Sequence, residues 1–174
     1  MDERLAIWDA HTHIFPPEIV TARETVDDPY FRALYATPRS RLADGPALLR
    51  LLDEAGVARA VIAGWGWGDL RRCQQGNDYL LDQAARCPAR FIPFVTAPPR
   101  AGDAALREIE RAAAGGARGV GELMPDGQDV APDDQALDPI IELATDLGLV
   151  VLIHASEPVG HRYPGKGTSS TSNA

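Results

Sequence analysis

A chain of 174 residues is long enough for one domain with a real core and too short to expect two. With 45% hydrophobic residues, 24% charged residues and a net charge of −8, its composition is that of an ordinary globular protein, and its acidity argues against a nucleic-acid surface. No apolar stretch approaches the roughly 18–20 residues of a membrane span; the N-terminus lacks a basic, apolar leader, and Cys73 and Cys87 form neither a disulfide framework nor a CxxC pair, so a cytoplasmic, reducing compartment is expected.

In chain order, Leu5 to Trp8 reads as a first strand, followed by a loop rich in Pro and Asp. Pro46 to Ala55 has helical spacing and stops at Gly56; Val57 to Ala63 is a second strand. Asp69 to Arg86 is helical, with Asp69 as N-cap and a stop before Pro88, and Arg90 to Thr96 is a third strand ended by Pro98 and Pro99. Asp103 to Ala114 is a helix ended by Gly115 and Gly116, and Ala117 to Leu123 a fourth strand. Asp134 to Leu147 is a helix ended by Gly148, and Leu149 to Ile153 a fifth strand. Three of these strands, VARAVIA, RFIPFV and LVVLI, are near-continuous apolar runs, which suits parallel strands buried on both faces. The alternation predicts repeated right-handed βαβ units, and hence a parallel α/β sheet, doubly wound or barrel-like. From about Gly160 the sequence turns Gly-, Ser- and Thr-rich, which divides the chain into a domain over 1–160 and a flexible tail over 161–174.

Chemistry concentrates at strand ends. In Asp9-Ala10-His11-Thr12-His13 the period of two puts Asp9, His11 and His13 on one side, where two imidazoles can bind one metal ion and an adjacent carboxylate can ligate or orient. Glu122 ends the fourth strand and His154 the fifth. Three of the four histidines therefore converge on the carboxyl rim, where parallel α/β sheets and barrels place their sites. Other readings of the same residues are surface histidines, a strand-end carboxylate paired with Arg118, and a satisfied core histidine.

IWDAHTHIF, GVGELMP and VLIHASEP resemble the first-, fourth- and fifth-strand segments of the amidohydrolase superfamily, in its amidohydrolase-related branch. The resemblance covers about residues 5 to 165 and implies a partial (β/α) TIM barrel of about five strands. It implies His11 and His13 as ligands of a first metal, Glu122 as a ligand or bridge, and His154 as a ligand of a second. The sixth-strand His and eighth-strand Asp of that family have no counterpart here, and His161, seven residues past His154, reads as a loop residue. A divalent ion, zinc first, would lower the pKa of bound water from ~15.7 towards ~7, and a nearby carboxylate would move the proton. The missing eighth-strand Asp is the expected base, Glu122 its substitute where geometry allows, and Asp9 the other candidate catalytic carboxylate, as a ligand or as the partner that orients one. The implied reaction is hydrolysis of a small-molecule amide, lactone or ester, or a related decarboxylation. The alternatives are a TatD-like phosphoesterase or deoxyribonuclease, and a catalytically incomplete half-barrel that forms a homo-oligomer through unpaired strand edges. Trp65 and Trp67 in GWGWGD are candidate pocket walls, and Arg162 and Lys166 candidate contacts for an anionic substrate.

Overall fold

The computed structural model describes residues 6–35, 37 and 39–155. Five parallel strands, β1 (Trp8–His13), β2 (Arg59–Ala63), β3 (Phe91–Val95), β4 (Gly119–Leu123) and β5 (Val150–Ile153), lie in the sheet in sequence order. Helices α1 (Pro17–Thr21), α2 (Pro29–Tyr35) and α3 (Gly45–Ala55) follow β1; α4 (Leu70–Arg86) follows β2, α5 (Asp103–Ala114) β3 and α6 (Asp138–Asp146) β4. Sequential order with a helix in every crossover is the winding of a (β/α) barrel, here a partial one of five strands.

Alternation along each strand divides its residues between two faces. Ala60 and Ile62 of β2 are fully buried against Leu48 and Leu52 of α3 and Leu80 and Ala84 of α4. Val120 and Leu123 of β4 pack with Ala105 and Ile109 of α5 and with Ile140 and Ala144 of α6. Each such Val, Leu or Ile side chain contributes about 1.5–3 kcal/mol by leaving water, and together with the alanines they lock the helical layer to the sheet.

Helix ends set where each strand delivers its last residues. The Asp44 carboxylate accepts the Ala47 N–H at 2.8 Å, and Gly56 closes α3 in the left-handed conformation (φ 67°). Asp69 caps α4 in the same way through the Arg72 N–H, so that α4 starts directly after Asp69, as the sequence predicts.

Three expectations shift. β1 starts at Trp8 and continues through His13, so both histidines lie on the strand and not after it; Thr12 holds them there, its hydroxyl donating to the Val61 carbonyl at 2.7 Å. The Pro/Asp-rich loop contains α1 and α2, each opened by a proline whose missing N–H is harmless in a first turn; Phe31, fully buried, anchors α2. The helix foreseen over 134–147 is a capped 3-10 turn, Gln135–Leu137, followed by α6, because Pro139 is accommodated only in the first turn of an α-helix. The tail over 161–174, with His161, Arg162 and Lys166, lies outside the described residues.

Among the described residues β1 and β5 pair on one side only. Apolar side chains stand open there: Ile7 is 58% exposed, Trp8 54% and Val150 58%. The Arg59 guanidinium covers the Trp8 ring at 4.7 Å.

Candidate metal centre

His11 and His13 come from the end of β1, Glu122 from the end of β4, and His154 directly follows β5. Glu122 is placed by backbone as well as side chain. Its N–H donates to the Gly64 carbonyl at 2.9 Å, while the Gly64 N–H reaches the carbonyls of Phe94 and Gly121, so the end of β2 holds the end of β4 across β3.

The Glu122 carboxylate, with a side chain 4% exposed, is shared between the histidines. Its Oε2 lies 3.2 Å from His11 Nε2 and 3.0 Å from His13 Nε2, and its Oε1 lies 2.8 Å from His154 Nδ1. The two Nε2 atoms are 3.1 Å apart. On the far side of its ring, His13 donates Nδ1–H to the Ala63 carbonyl at 3.0 Å. A neutral His13 therefore turns its unprotonated Nε2 towards the cluster, the tautomer that a metal ligand needs.

Three basic atoms face one another at van der Waals distance or less, an arrangement that repels unless a proton or a cation sits among them. Nitrogen and oxygen ligands at about 2.0–2.2 Å from one ion, with angles of roughly 90–110°, stand about 3.0–3.4 Å apart. The observed edges fall in that range, so His11, His13 and Glu122 fit a divalent ion. His154 attaches to the opposite carboxylate oxygen, where it meets the cluster through Glu122.

Electrostatics match this picture. Burial alone would raise the Glu122 carboxyl, but the three histidines around it, His11, His13 and His154, outweigh burial and hold the group ionised, well below the ordinary carboxylate range. His11 is raised, first by its hydrogen bond to Glu122. The Tyr35 hydroxyl is pushed up by burial and then by the Glu122 charge, which marks it as a neighbour of the site.

Asp9 lies apart from the cluster. It is exposed, and its Oδ1 accepts the backbone N–H of His11 at 3.1 Å; a pairing irregularity between Asp9 and Thr12 breaks the simple alternation on which a shared side was expected.

The centre opens into a cavity of about 770 Å³, lined also by Phe15, Tyr35, Trp65, Arg23, Arg41 and Arg50. Trp65 stands there, edge-on to His13 at 5.8 Å, whereas Trp67 lies behind it. The arginines carry no sequence signal, because they sit in the segments between β1 and the end of α3 that only the fold swings over the rim. Arg23 is fixed by the Ser40 carbonyl at 2.5 Å, and none of the three has an ion-pair partner among the described residues.

The sequence matches the family described as Amidohydrolase over residues 8–171. No curated protein matches it. Among solved structures, 5-carboxyvanillate decarboxylase from Novosphingobium aromaticivorans, complexed with manganese and 4-hydroxy-3-methoxy-5-nitrobenzoic acid, is similar with a TM-score of 0.71 and 23% identity, over 89% of this chain and 51% of that one. The 2,6-dihydroxybenzoate decarboxylase from Rhizobium gives 0.62 and 21% identity, over 90% and 51%. A probable 2-pyrone-4,6-dicarboxylic acid hydrolase from Acinetobacter baumannii gives 0.55 and 18% identity, over 87% and 50%. The chain spans about half the length of these proteins.

Proposed function

Given that this chain belongs to the amidohydrolase family, we propose that it carries the ligand-bearing half of a metal-dependent enzyme that hydrolyses or decarboxylates a small molecule. One observation carries this reading: two imidazole nitrogens and a carboxylate oxygen converge within 3.2 Å of one another at the carboxyl rim of a parallel barrel. His11, His13 and Glu122 would hold the ion, zinc or manganese, and His154 would complete the centre from the other side of Glu122. Such an ion polarises a carbonyl and acidifies water. The chain's own residues prepare the rest. Ala63 fixes the His13 tautomer, Glu122 supplies the negative charge, and Asp9 positions His11 through its backbone N–H. Arg23, Arg41 and Arg50, which line the cavity and have no ion-pair partner among the described residues, favour a substrate with a carboxylate group.

The test is metal content after dialysis, combined with turnover of hydroxybenzoate carboxylates and of lactones. Retention of a stoichiometric divalent ion, lost in His11→Ala, supports the reading; protein that binds neither zinc nor manganese overturns it. Turnover of p-nitrophenyl phosphate alone would favour a phosphoesterase, a reading that draws no support from the similarities above.

A second reading, association through the open edges, is favoured by the exposed Ile7, Trp8 and Val150 on β1, β5 and their flanks. Light scattering checks it: a concentration-independent monomer ends it.

A further inference from the structure

We propose that a cavity behind the metal centre, between α1 and α4, is a second ligand site, built for a flat, uncharged aromatic molecule with a hydrogen-bond acceptor. The cavity measures about 250 Å³. A cavity of about 150 Å³ holds benzene, so this one has room for a ring with a few further atoms. Its walls include Phe15, Ile19, Val26, Trp65, Trp67 and Leu80, which select a flat apolar body.

The polar requirement comes from Trp67. The residue is 4% exposed and its backbone is fully engaged: the N–H donates to the Trp65 carbonyl, and its own carbonyl accepts from Gln128 Nε2 and the Cys73 thiol. Its indole N–H has no hydrogen-bond partner among the described residues. That N–H is not sealed off from the cavity, so an acceptor bound there would take the place of water on it. The Arg72 guanidinium lies 5.6 Å over the indole and is tied to the Asp27 carbonyl at 3.1 Å, so the donor is held in place.

Gly76 supplies the second independent sign. It lies inside α4, where glycine costs about 1 kcal/mol relative to alanine. It has no positive φ, and outside its own helix backbone the nearest atom to an added Cβ is Trp67 Nε1, at 3.9 Å. Neither conformation nor crowding demands glycine; a side chain there would enter the cavity and cover the indole N–H. Glu18 and Arg72, opposite in sign, both line the cavity, so a net charge on the ligand gains nothing. Phe15 and Trp65 line this cavity and the metal cavity alike, and a bound molecule would therefore brace the wall that packs on His13.

Acetophenone, a single ring with a carbonyl acceptor, is the probe. The chain has three tryptophans, so a ¹⁵N-labelled sample gives three indole signals, and Trp67→Phe identifies the relevant one. Titration should move the Trp67 indole signal downfield and saturably. Gly76→Leu should abolish the shift, and Gly76→Ala, which fits the available space, should weaken binding several-fold and remains interpretable if the leucine variant does not fold. The response should persist in the His11→Ala/His13→Ala double variant, which keeps this test separate from the metal reading. An unmoved Trp67 signal, undiminished binding in both Gly76 variants, or loss of the response with the histidine pair would overturn the proposal.

Discussion

Gly64 and Glu122 are joined by a backbone hydrogen bond of 2.9 Å that spans the end of β3, and this bond fixes where the central carboxylate of the metal site stands. Gly64 permits it by lacking a side chain: a Cβ there would meet Thr96 Cγ2 at 2.9 Å and the Thr96 backbone nitrogen at 3.3 Å. We expect Gly64→Ala to fold with a stability loss of about 1–3 kcal/mol, the usual cost of overpacking. Its metal affinity should fall more than that of a control substitution of similar cost elsewhere in the core. Urea titration and zinc calorimetry on the same samples check both.

Thr96 in turn is held by Asn77, a fully buried side chain whose Oδ1 accepts the Thr96 N–H at 2.9 Å and whose Nδ2 donates to the Thr96 carbonyl and to Glu108. Asn77→Ala strands the Thr96 N–H and carbonyl, while Glu108 keeps Arg111, and should cost about 1–3 kcal/mol for each group stranded, read as a drop in urea midpoint. A midpoint within error of wild type would show that the clamp contributes nothing.

The acid limb of stability should carry the signature of Glu108. Burial opposes its ionisation, but hydrogen bonds from Arg111 and Asn77 prevail and hold its carboxyl below the ordinary value of about 4.3. A folded-state pKa below the unfolded one means stabilisation that is complete above the unfolded value and is lost as pH falls through the folded one. Wild type should thus weaken on acidification below about pH 4, and Glu108→Gln, already weaker at neutral pH, should show a shallower decline over the same window. Parallel slopes in chemical denaturation at several pH values would count against this role.

Replacing Glu122 with glutamine removes the charge that balances the histidines while keeping the size of the side chain. Divalent-ion affinity should fall by at least roughly tenfold. Thermal stability without metal should change little or fall, since the three histidine contacts weaken together. Metal analysis and melting curves with added chelator give both readings.

The His13–Ala63 hydrogen bond cannot be removed by mutating Ala63, since its acceptor is backbone, but His13→Gln retains a polar side chain without an imidazole Nε2. Metal binding should be lost in that variant and in His13→Ala alike. A glutamine variant that binds like wild type would remove His13 from the ligand set.

Much of this protein was legible in the chain itself. Near-continuous apolar runs of strand length and amphipathic helices at 3.6 are local patterns, so five parallel strands and the helices between them could be read in order, with Asp69 and Gly56 in their capping roles. The candidates His11, His13, Glu122 and His154 followed from strand ends, because in a parallel sheet every strand end reaches the same rim. What the tertiary structure alone decided was contact. Glu122 turns one oxygen to the β1 pair and the other to His154, Asp9 spends its carboxylate on a backbone N–H, and Arg23, Arg41 and Arg50 swing over the cavity from segments without strand periodicity. Local sequence encodes which way a side chain leaves its own backbone, whereas the distance between atoms from distant segments depends on how the sheet curls and on bonds such as Gly64–Glu122, which exist only once the whole layer has packed.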